Sequence, residues 1–203
     1  LVTFNHGDKP SQEQINSIEG LGVRLVALPL YPYKAAIGCV RTLFTDMPLE
    51  IAFYYGDAFA EAVEKLCSEN QFDLGISFFM RSAEYIRHKN FPKILVAEDC
   101  RTMYQQRSFE VSSSFKQKLV RWWEVRKLRK YEPWIVNDFD RTTLVTREDI
   151  AAMQRQNAYA DYRLLTNGVN LSEFPANLSH EGRHTVLFAG KLNVWANEMM
   201  VKS

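Results

Sequence analysis

Short apolar runs alternate with helical patterns along this chain, and this alternation constrains its fold more than any other feature. The apolar runs that read as strands cover residues 1–4, 23–28, 72–79, 93–97, 141–145 and 162–165. Between these runs, apolar residues recur at helical spacing, as Phe59, Val63 and Leu66 do. Strands that alternate with helices indicate βα units, whose successive strands pair in parallel. The sequence therefore predicts an α/β fold with a mostly parallel sheet.

Two glycine turns near the end of the sequence predict a boundary between domains. The last apolar run leads into Asn167 and Gly168, residue types that turn at positive φ with little strain. Residues 172–183 are polar and read as a linker, and a further apolar run then ends at Gly190 and Lys191. Ligands of open α/β sheets bind at the carboxyl ends of the strands. We therefore expect a functional cleft between one sheet that ends before Asn167 and another that begins after the linker.

Composition and charge exclude several other classes. A formal net charge of +1 gives no global basis for nucleic-acid binding. The three cysteines, Cys39, Cys67 and Cys100, show no CxxC spacing and are predicted to be reduced thiols in a cytoplasmic protein. The histidines and cysteines do not fall in metal-ligand spacing, so no metal site is predicted. No uninterrupted apolar run approaches the roughly 20 residues that a membrane-spanning helix requires.

Charged residues follow two of the predicted strands. Glu98, Asp99 and Arg101 come directly after the run 93–97, where carboxylates can act as a base or bind hydroxyl groups. The alternative is structural: one carboxylate caps the next helix and the other pairs with an arginine. Arg81 follows the strand 72–79 in the same way, and it either binds an anion or is simply solvated. The sequence leaves both pairs of alternatives open.

The helix predicted over residues 115–131 combines basic residues with tryptophans. Such a helix can lie on anionic lipid, which would place the protein peripherally at the inner face of the membrane. In the alternative, Leu119, Trp122 and Leu128 pack on the sheet while the charges remain in water. The packing interpretation is favoured, because core packing accounts for most amphipathic helices.

Three segments occur in an order that resembles the family 4 glycosyltransferases, which have the two-domain GT-B fold. They are residues 139–146, with a strand ending in Val-Thr; residues 165–174, with Asn-Gly-Val-Asn; and residues 186–192, with Phe-Ala-Gly-Lys. The segment 98–102 and the basic helix with Glu124 and Glu132 are similar to the branch that makes surface and exported polysaccharides. The resemblance spans nearly the whole chain.

The resemblance implies a fold and a domain organisation. The fold would be Rossmann-like, a mostly parallel sheet with helices on both faces, forming the N-terminal domain of a GT-B glycosyltransferase truncated at both ends. Residues 1–171 would be the acceptor-side domain, lacking its first strand and helix. Residues 172–183 would be the interdomain linker, and residues 184–203 would open the donor-binding domain.

The resemblance also implies an activity, the transfer of a sugar from a nucleotide-diphosphate donor to a glycan or lipid-linked acceptor. Retention of configuration and independence from a metal or other cofactor are inferred from the family alone, and the chain as given is expected to be inactive. The implied site residues are Asp99 and Glu98 for catalysis, Gly190, Lys191, Asn167 and Gly168 on the donor side, and Arg81 and Arg101 on the acceptor side. The alternatives are a non-catalytic α/β module that binds an anion or a partner protein, and a GT-B sugar-nucleotide epimerase.

Overall fold

The computed structural model describes residues 1–5 and 10–173, and it shows parallel strands flanked by helices. The strands are β1 (Val2–Asn5), β2 (Val26–Pro29), β3 (Gly75–Phe78), β4 (Lys93–Glu98), β5 (Arg141–Leu144) and β6 (Tyr162–Leu164). The α-helices are α1 (Gln12–Glu19), α2 (Pro32–Arg41), α3 (Leu49–Tyr54), α4 (Asp57–Glu69), α5 (Arg101–Val111), α6 (Phe115–Ile135) and α7 (Arg147–Gln156). Residues Met80–Tyr85 and Val136–Asp138 form 3₁₀ helices. The predicted α/β fold is confirmed.

The chain divides into two compact units, residues 1–167 and 168–203, and every element named above lies in the first. Its described strands form two parallel sheets rather than one. The larger has the order β3-β4-β5-β6, and the smaller contains β1 and β2. Consecutive strands are neighbours in both sheets, which is the arrangement that repeated βα units produce.

The main core lies around the central strands of the larger sheet. Leu95 of β4 and Leu144 of β5 are fully buried, and α6 and α7 contribute Ile135 and Met153. A second, smaller core around Phe59 of α4 lies against the β1-β2 sheet. The central strands are therefore covered by packed helices, and their carboxyl ends are held in fixed positions.

A cavity of about 550 Å³ separates the two sheets and is lined by β1, β3 and α4. On β3, the amide groups of Gly75 and Phe79 donate to β4, so the backbone groups of Ile76 point toward the cavity. On β1, the carbonyl groups of Leu1 and Asn5 accept hydrogen bonds from the residues of β2 and the residue after it. The backbone groups of the β1 residues that alternate with these therefore point away from β2, toward the same cavity. One edge of each sheet thus faces the same apolar space, and no described strand lies between these two edges.

Several helices begin or continue where neighbouring residues give no clear signal. Helices α3 and α5 were not predicted, because α3 has only six residues and α5 lacks apolar residues at regular helical spacing. The N-cap of α4 is Gly56 rather than Asp57, which instead lies in the first turn. Helix α6 continues through Pro133 to Ile135, and buried residues lie on both sides of the proline.

Candidate functional site

The carboxyl ends of β3 and β4 meet at one edge of the larger sheet, where two residues adopt unusual backbone angles. Phe79 has a φ of 61° and Glu98 a φ of 66°, a region that residues with a Cβ disfavour. Hydrogen bonds hold both positions, because Phe79 N donates to Val96 O at 2.8 Å and Val145 N donates to Glu98 O at 2.8 Å. Such conformations concentrate at functional sites. This edge is therefore the strongest candidate site in the described structure.

Arg101 is engaged by two carboxylates at this edge. Its Nε and Nη2 atoms donate to Oε2 of Glu50 at 3.0 and 2.7 Å, and its Nη1 atom donates to Oδ2 of Asp99 at 3.1 Å. The guanidinium also stacks over the ring of Tyr104, 4.6 Å from its centroid. Two carboxylates already offset its single charge, so Arg101 is poorly suited to bind an anionic acceptor group directly. It instead holds the carboxylates of Glu50 and Asp99 in position.

Asp99 combines an ion pair with one unused oxygen atom. Its Oδ1 atom is buried and has no hydrogen-bond partner among the described residues, while Oδ2 pairs with Arg101. Burial raises the pKa of Asp99, and the neighbouring Arg101 opposes that increase. A buried acceptor without a donor is costly, so this oxygen favours a ligand that brings a hydroxyl group.

Neither Glu98 nor Asp99 caps the following helix, so that part of the structural alternative is wrong. The capping groups of α5 come from other elements. Glu132 of α6 accepts hydrogen bonds from the amides of Arg101 and Thr102 at 2.6 and 2.9 Å, and Asp149 accepts from the amide of Cys100 at 3.0 Å. The side chain of Glu98 forms no ion pair or hydrogen bond within the described part of the chain. Glu98 is therefore available to a ligand.

Arg81 lies at the end of β3 beside the same edge. Its guanidinium stacks between the rings of Tyr54 and Phe79, with centroids 4.5 and 4.3 Å away, and no described carboxylate pairs with it. Glu50, which pairs with Arg101, and Tyr54, whose ring contacts Arg81, are four residues apart on one face of α3. The two arginines therefore contact the same short helix. Arg81 thus provides the uncompensated positive charge that Arg101 lacks.

Two buried glutamates of α6 support this edge by capping the helices α3 and α5. The sequence analysis did not predict this role. Glu124 accepts hydrogen bonds from the amides of Leu49 and Glu50 at 2.7 and 3.0 Å, and it thereby caps α3 as Glu132 caps α5. Burial raises the pKa of both carboxyls. The signal was present in the sequence, because both glutamates share the helical face of Leu128 and Ile135.

Two of the four predicted donor-side residues lie outside the part of the chain that the structure describes. Gly190 and Lys191 lie outside the described residues, so their roles stay predictions. Asn167 and Gly168 flank the division between the two units, but neither has a positive φ, so the predicted tight turn there is wrong. The described residues contain no group of three or more His, Cys, Asp or Glu side chains placed to hold a metal ion. Independence from a metal remains a prediction.

Replacing Glu50 with glutamine tests the electrostatics of the site. Glu50 raises the pKa of Asp99 through charge repulsion and also competes with it for Arg101. We expect Glu50→Gln to lower the pKa of Asp99, as measured by carboxyl-carbon NMR titration. Glu61→Gln, an exposed substitution on α4, is the matched control and should leave that pKa unchanged. An unchanged or raised pKa in Glu50→Gln would contradict the described network.

The carboxyl edge of β3 and β4 thus offers a buried carboxylate oxygen on Asp99, together with Glu98 and Arg81, neither of which pairs with an oppositely charged residue in the described part of the chain. This set can bind a hydroxyl-bearing ligand that also carries negative charge. Comparisons with protein-family models, curated proteins and solved structures found no match for this chain.

Proposed function

We propose that this chain is the acceptor-side domain of a GT-B glycosyltransferase, which moves a sugar from a nucleotide-diphosphate donor to a glycan or lipid-linked acceptor. The observation that carries the proposal is the buried Oδ1 atom of Asp99, which has no donor among the described residues and lies at the carboxyl edge of a parallel sheet. Ligands of open α/β folds bind at this edge. A sugar hydroxyl supplies the donor that this oxygen lacks.

Each site residue has a distinct part in the proposal. Asp99 accepts the hydrogen bond of the acceptor hydroxyl and so orients the oxygen that attacks the donor sugar. Glu98 offers a second acceptor beside it, and Arg81 binds an anionic group of the acceptor. Arg101 acts as a positioning residue, since its charge is already shared by two carboxylates.

The donor side of the proposal depends on the resemblance and on Gly190 and Lys191. A glycine lets the backbone approach the donor diphosphate closely, and the lysine offsets part of its negative charge. In the transfer, the bond between the sugar carbon and the diphosphate breaks, and a bond from that carbon to the acceptor oxygen forms. The nucleotide diphosphate leaves with the electron pair of the broken bond. The proton of the acceptor hydroxyl passes to the carboxylate of Asp99, which then releases it to water.

The cavity between the two sheets supports the proposed domain organisation. The alternate backbone groups of β1 and β3 that face this cavity need hydrogen-bond partners, which an apolar ligand cannot supply. A further parallel strand would satisfy both edges and join the two sheets into one. None of the described residues supplies such a strand, which agrees with a domain that lacks one strand of its sheet.

A non-catalytic binding module is the second candidate, and the ion-pair network favours it. Arg101, Glu50 and Asp99 together resemble a structural network, while Arg81 alone could bind an anion. Calorimetry separates the two candidates when the full-length gene product is titrated with nucleoside diphosphates. A glycosyltransferase binds its product nucleotide, whereas the module gives no reason for such binding.

Donor turnover is the direct test of the proposal. We expect the full-length protein to consume a nucleotide-sugar in a coupled assay when acceptor is present, and the 203-residue chain alone to show no turnover. Release of free nucleotide without acceptor would instead indicate the epimerase. Absence of both nucleotide binding and donor turnover, across the common nucleotide-sugars, would reject the transferase assignment.

A further inference from the structure

The first half of α6 exposes the apolar side chains that were expected to pack on the sheet. Phe115, Leu119 and Trp122 are 80%, 55% and 46% exposed, so the packing interpretation is wrong for Leu119 and Trp122 and right only for buried Leu128. These three residues are spaced four and three apart, which places them on one face of the helix. Glu124, on the opposite face, is buried against α3. The outward face of α6 is therefore apolar as well as the inward one.

A second apolar stripe lies on α2 and the turn that follows it. Tyr33, Ile37 and Val40 share one exposed face of α2, and Phe44 continues that spacing and is 94% exposed. Solvent exposure of so many large apolar residues in two stripes is unusual for a surface that stays in water. The two stripes call for a common explanation.

Helix α6 also holds the turn that carries Phe44. Nζ of Lys127 donates to the carbonyl groups of Thr42 and Met47 at 2.6 and 2.9 Å, and Lys130 pairs with Asp46 at 2.8 Å. These contacts fix that turn against the second half of α6, the helix whose first half carries the other stripe. We call the two stripes together the α2-α6 surface and define it by Tyr33, Ile37, Val40, Phe44, Phe115, Leu119 and Trp122.

Positive charge borders the α2-α6 surface. Lys116, Lys118 and Arg126 lie on the exposed turns of α6, and Lys34 and Arg41 lie on α2. The acidic residues on these two elements and the intervening turn are few: Glu124 is buried in the cap of α3, and Asp46 is paired with Lys130. Apolar side chains enter the acyl region of a bilayer, and cations contact its anionic headgroups. A surface with apolar residues bordered by cations is therefore suited to an anionic bilayer.

We propose that the α2-α6 surface binds peripherally to a bilayer that contains anionic phospholipid. Trp122 and Phe115 enter the boundary between headgroups and acyl chains, and the surrounding lysines and arginines contact the headgroups. Among the described residues, no helix has the length and apolar character needed to cross a bilayer. The inference stands on exposure and charge and does not depend on the proposed transferase activity.

Vesicle sedimentation with the 203-residue chain tests this inference. We expect binding to phosphatidylcholine vesicles that contain about 30% phosphatidylglycerol, with much weaker binding to phosphatidylcholine alone, because an anionic surface attracts the lysines and arginines that border the apolar residues. Binding should weaken as salt is raised, since screening shortens the reach of these charges. Tryptophan fluorescence should shift to shorter wavelength on binding as Trp122 leaves water.

Two variants separate the apolar and the charged contributions. The triple variant Phe115→Ser, Leu119→Ser, Trp122→Ser and the double variant Lys116→Glu, Arg126→Glu should each weaken binding to anionic vesicles by about tenfold or more. The matched controls are Leu21→Ser with Tyr159→Ser, and Arg24→Glu with Lys65→Glu, which change exposed residues elsewhere. The controls should bind as the unmodified protein does. Because the altered side chains are exposed, the circular dichroism spectra should be unchanged.

Four outcomes would count against the inference. The first is no binding to anionic vesicles, and the second is equal binding to neutral and anionic vesicles. The third is a dimeric mass by light scattering that the triple serine variant converts to a monomer, which would show that a second copy of the chain covers this surface. Equal loss of binding in the variants and their controls would count against the α2-α6 surface as the binding face.

Discussion

Replacing Glu132 with alanine is expected to lower the free energy of unfolding by about 3 kcal/mol, because two buried amide groups lose their acceptor. Glu132 is fully buried, and its two oxygens accept from the amides of Arg101 and Thr102 at the start of α5. The substitution also leaves a cavity at the start of α5, which adds to the loss. Urea unfolding followed by circular dichroism measures the effect directly.

An exposed glutamate of a neighbouring helix is the control for this substitution. Glu110→Ala on α5 removes a carboxylate of the same size whose surroundings are open to solvent, and it should change the free energy of unfolding by less than about 0.5 kcal/mol. A loss in Glu132→Ala no larger than in Glu110→Ala would show that the start of α5 does not depend on Glu132.

The glutamine variant of Glu132 tests the charge separately from the shape. Burial raises the pKa of Glu132, so the folded protein holds this proton more tightly than the unfolded chain does. Its contribution to stability is therefore greatest below the ordinary glutamate pKa and is lost as the pH rises through the raised pKa. Glu132→Gln removes this titration, so the difference in unfolding free energy between wild type and variant should change with pH over that interval. A difference that is constant with pH would contradict a raised pKa.

The sequence was sufficient for the fold class because the βα pattern is local. Apolar runs such as 93–97 and 141–145 coincide with β4 and β5, and the capping box of Ser11 and Gln14 marks the start of α1. Each of these signals lies within a few residues of the element that it specifies. The separation into two sheets has no such local signal, because it depends on which strand edges meet.

The site was only partly predictable, because its geometry depends on contacts distant in sequence. Asp99 and Arg101 could be placed at a strand end, but the bond from Arg101 to Glu50 spans 51 residues. Helix α5 was missed for the same reason, since its cap comes from Glu132 rather than from a neighbouring residue. The exposure of Trp122 reverses the expected orientation of one helical face. A helix with apolar residues on two faces does not reveal by periodicity which of them packs on the sheet.

Helix α6 connects the candidate site with the proposed membrane surface. Its buried face supplies Glu124 and Glu132, which cap the two helices that carry Glu50 and Arg101. Its outward face carries Leu119 and Trp122. A lipid-linked acceptor reaches an enzyme from the plane of the bilayer, so a membrane contact through α6 would matter to the transfer only if both proposals hold. The two are tested by separate measurements, vesicle binding and donor turnover.

Asp99→Asn is expected to reduce kcat/KM of the full-length transferase by about 100-fold, because the carboxylate that orients the acceptor hydroxyl loses its charge. The substitution keeps the shape of the side chain, and Asp73→Asn, an exposed change before β3, is the matched control. Unfolding curves of both variants separate a loss of activity from a loss of folding. Full activity in Asp99→Asn would remove Asp99 from the mechanism.

The pH dependence of the unmodified enzyme gives an independent test of the same carboxylate. The charged form of Asp99 is the one that accepts the hydroxyl, so activity is lost as the pH falls through its pKa. Burial raises that pKa above the ordinary aspartate value of 3.8, which moves the acidic limb of the kcat/KM profile to higher pH. Since Glu50 also raises the pKa of Asp99, Glu50→Gln should shift this limb to lower pH, in the same direction as the NMR titration. A limb that does not move in Glu50→Gln, while the NMR titration of Asp99 does, would assign the limb to another group.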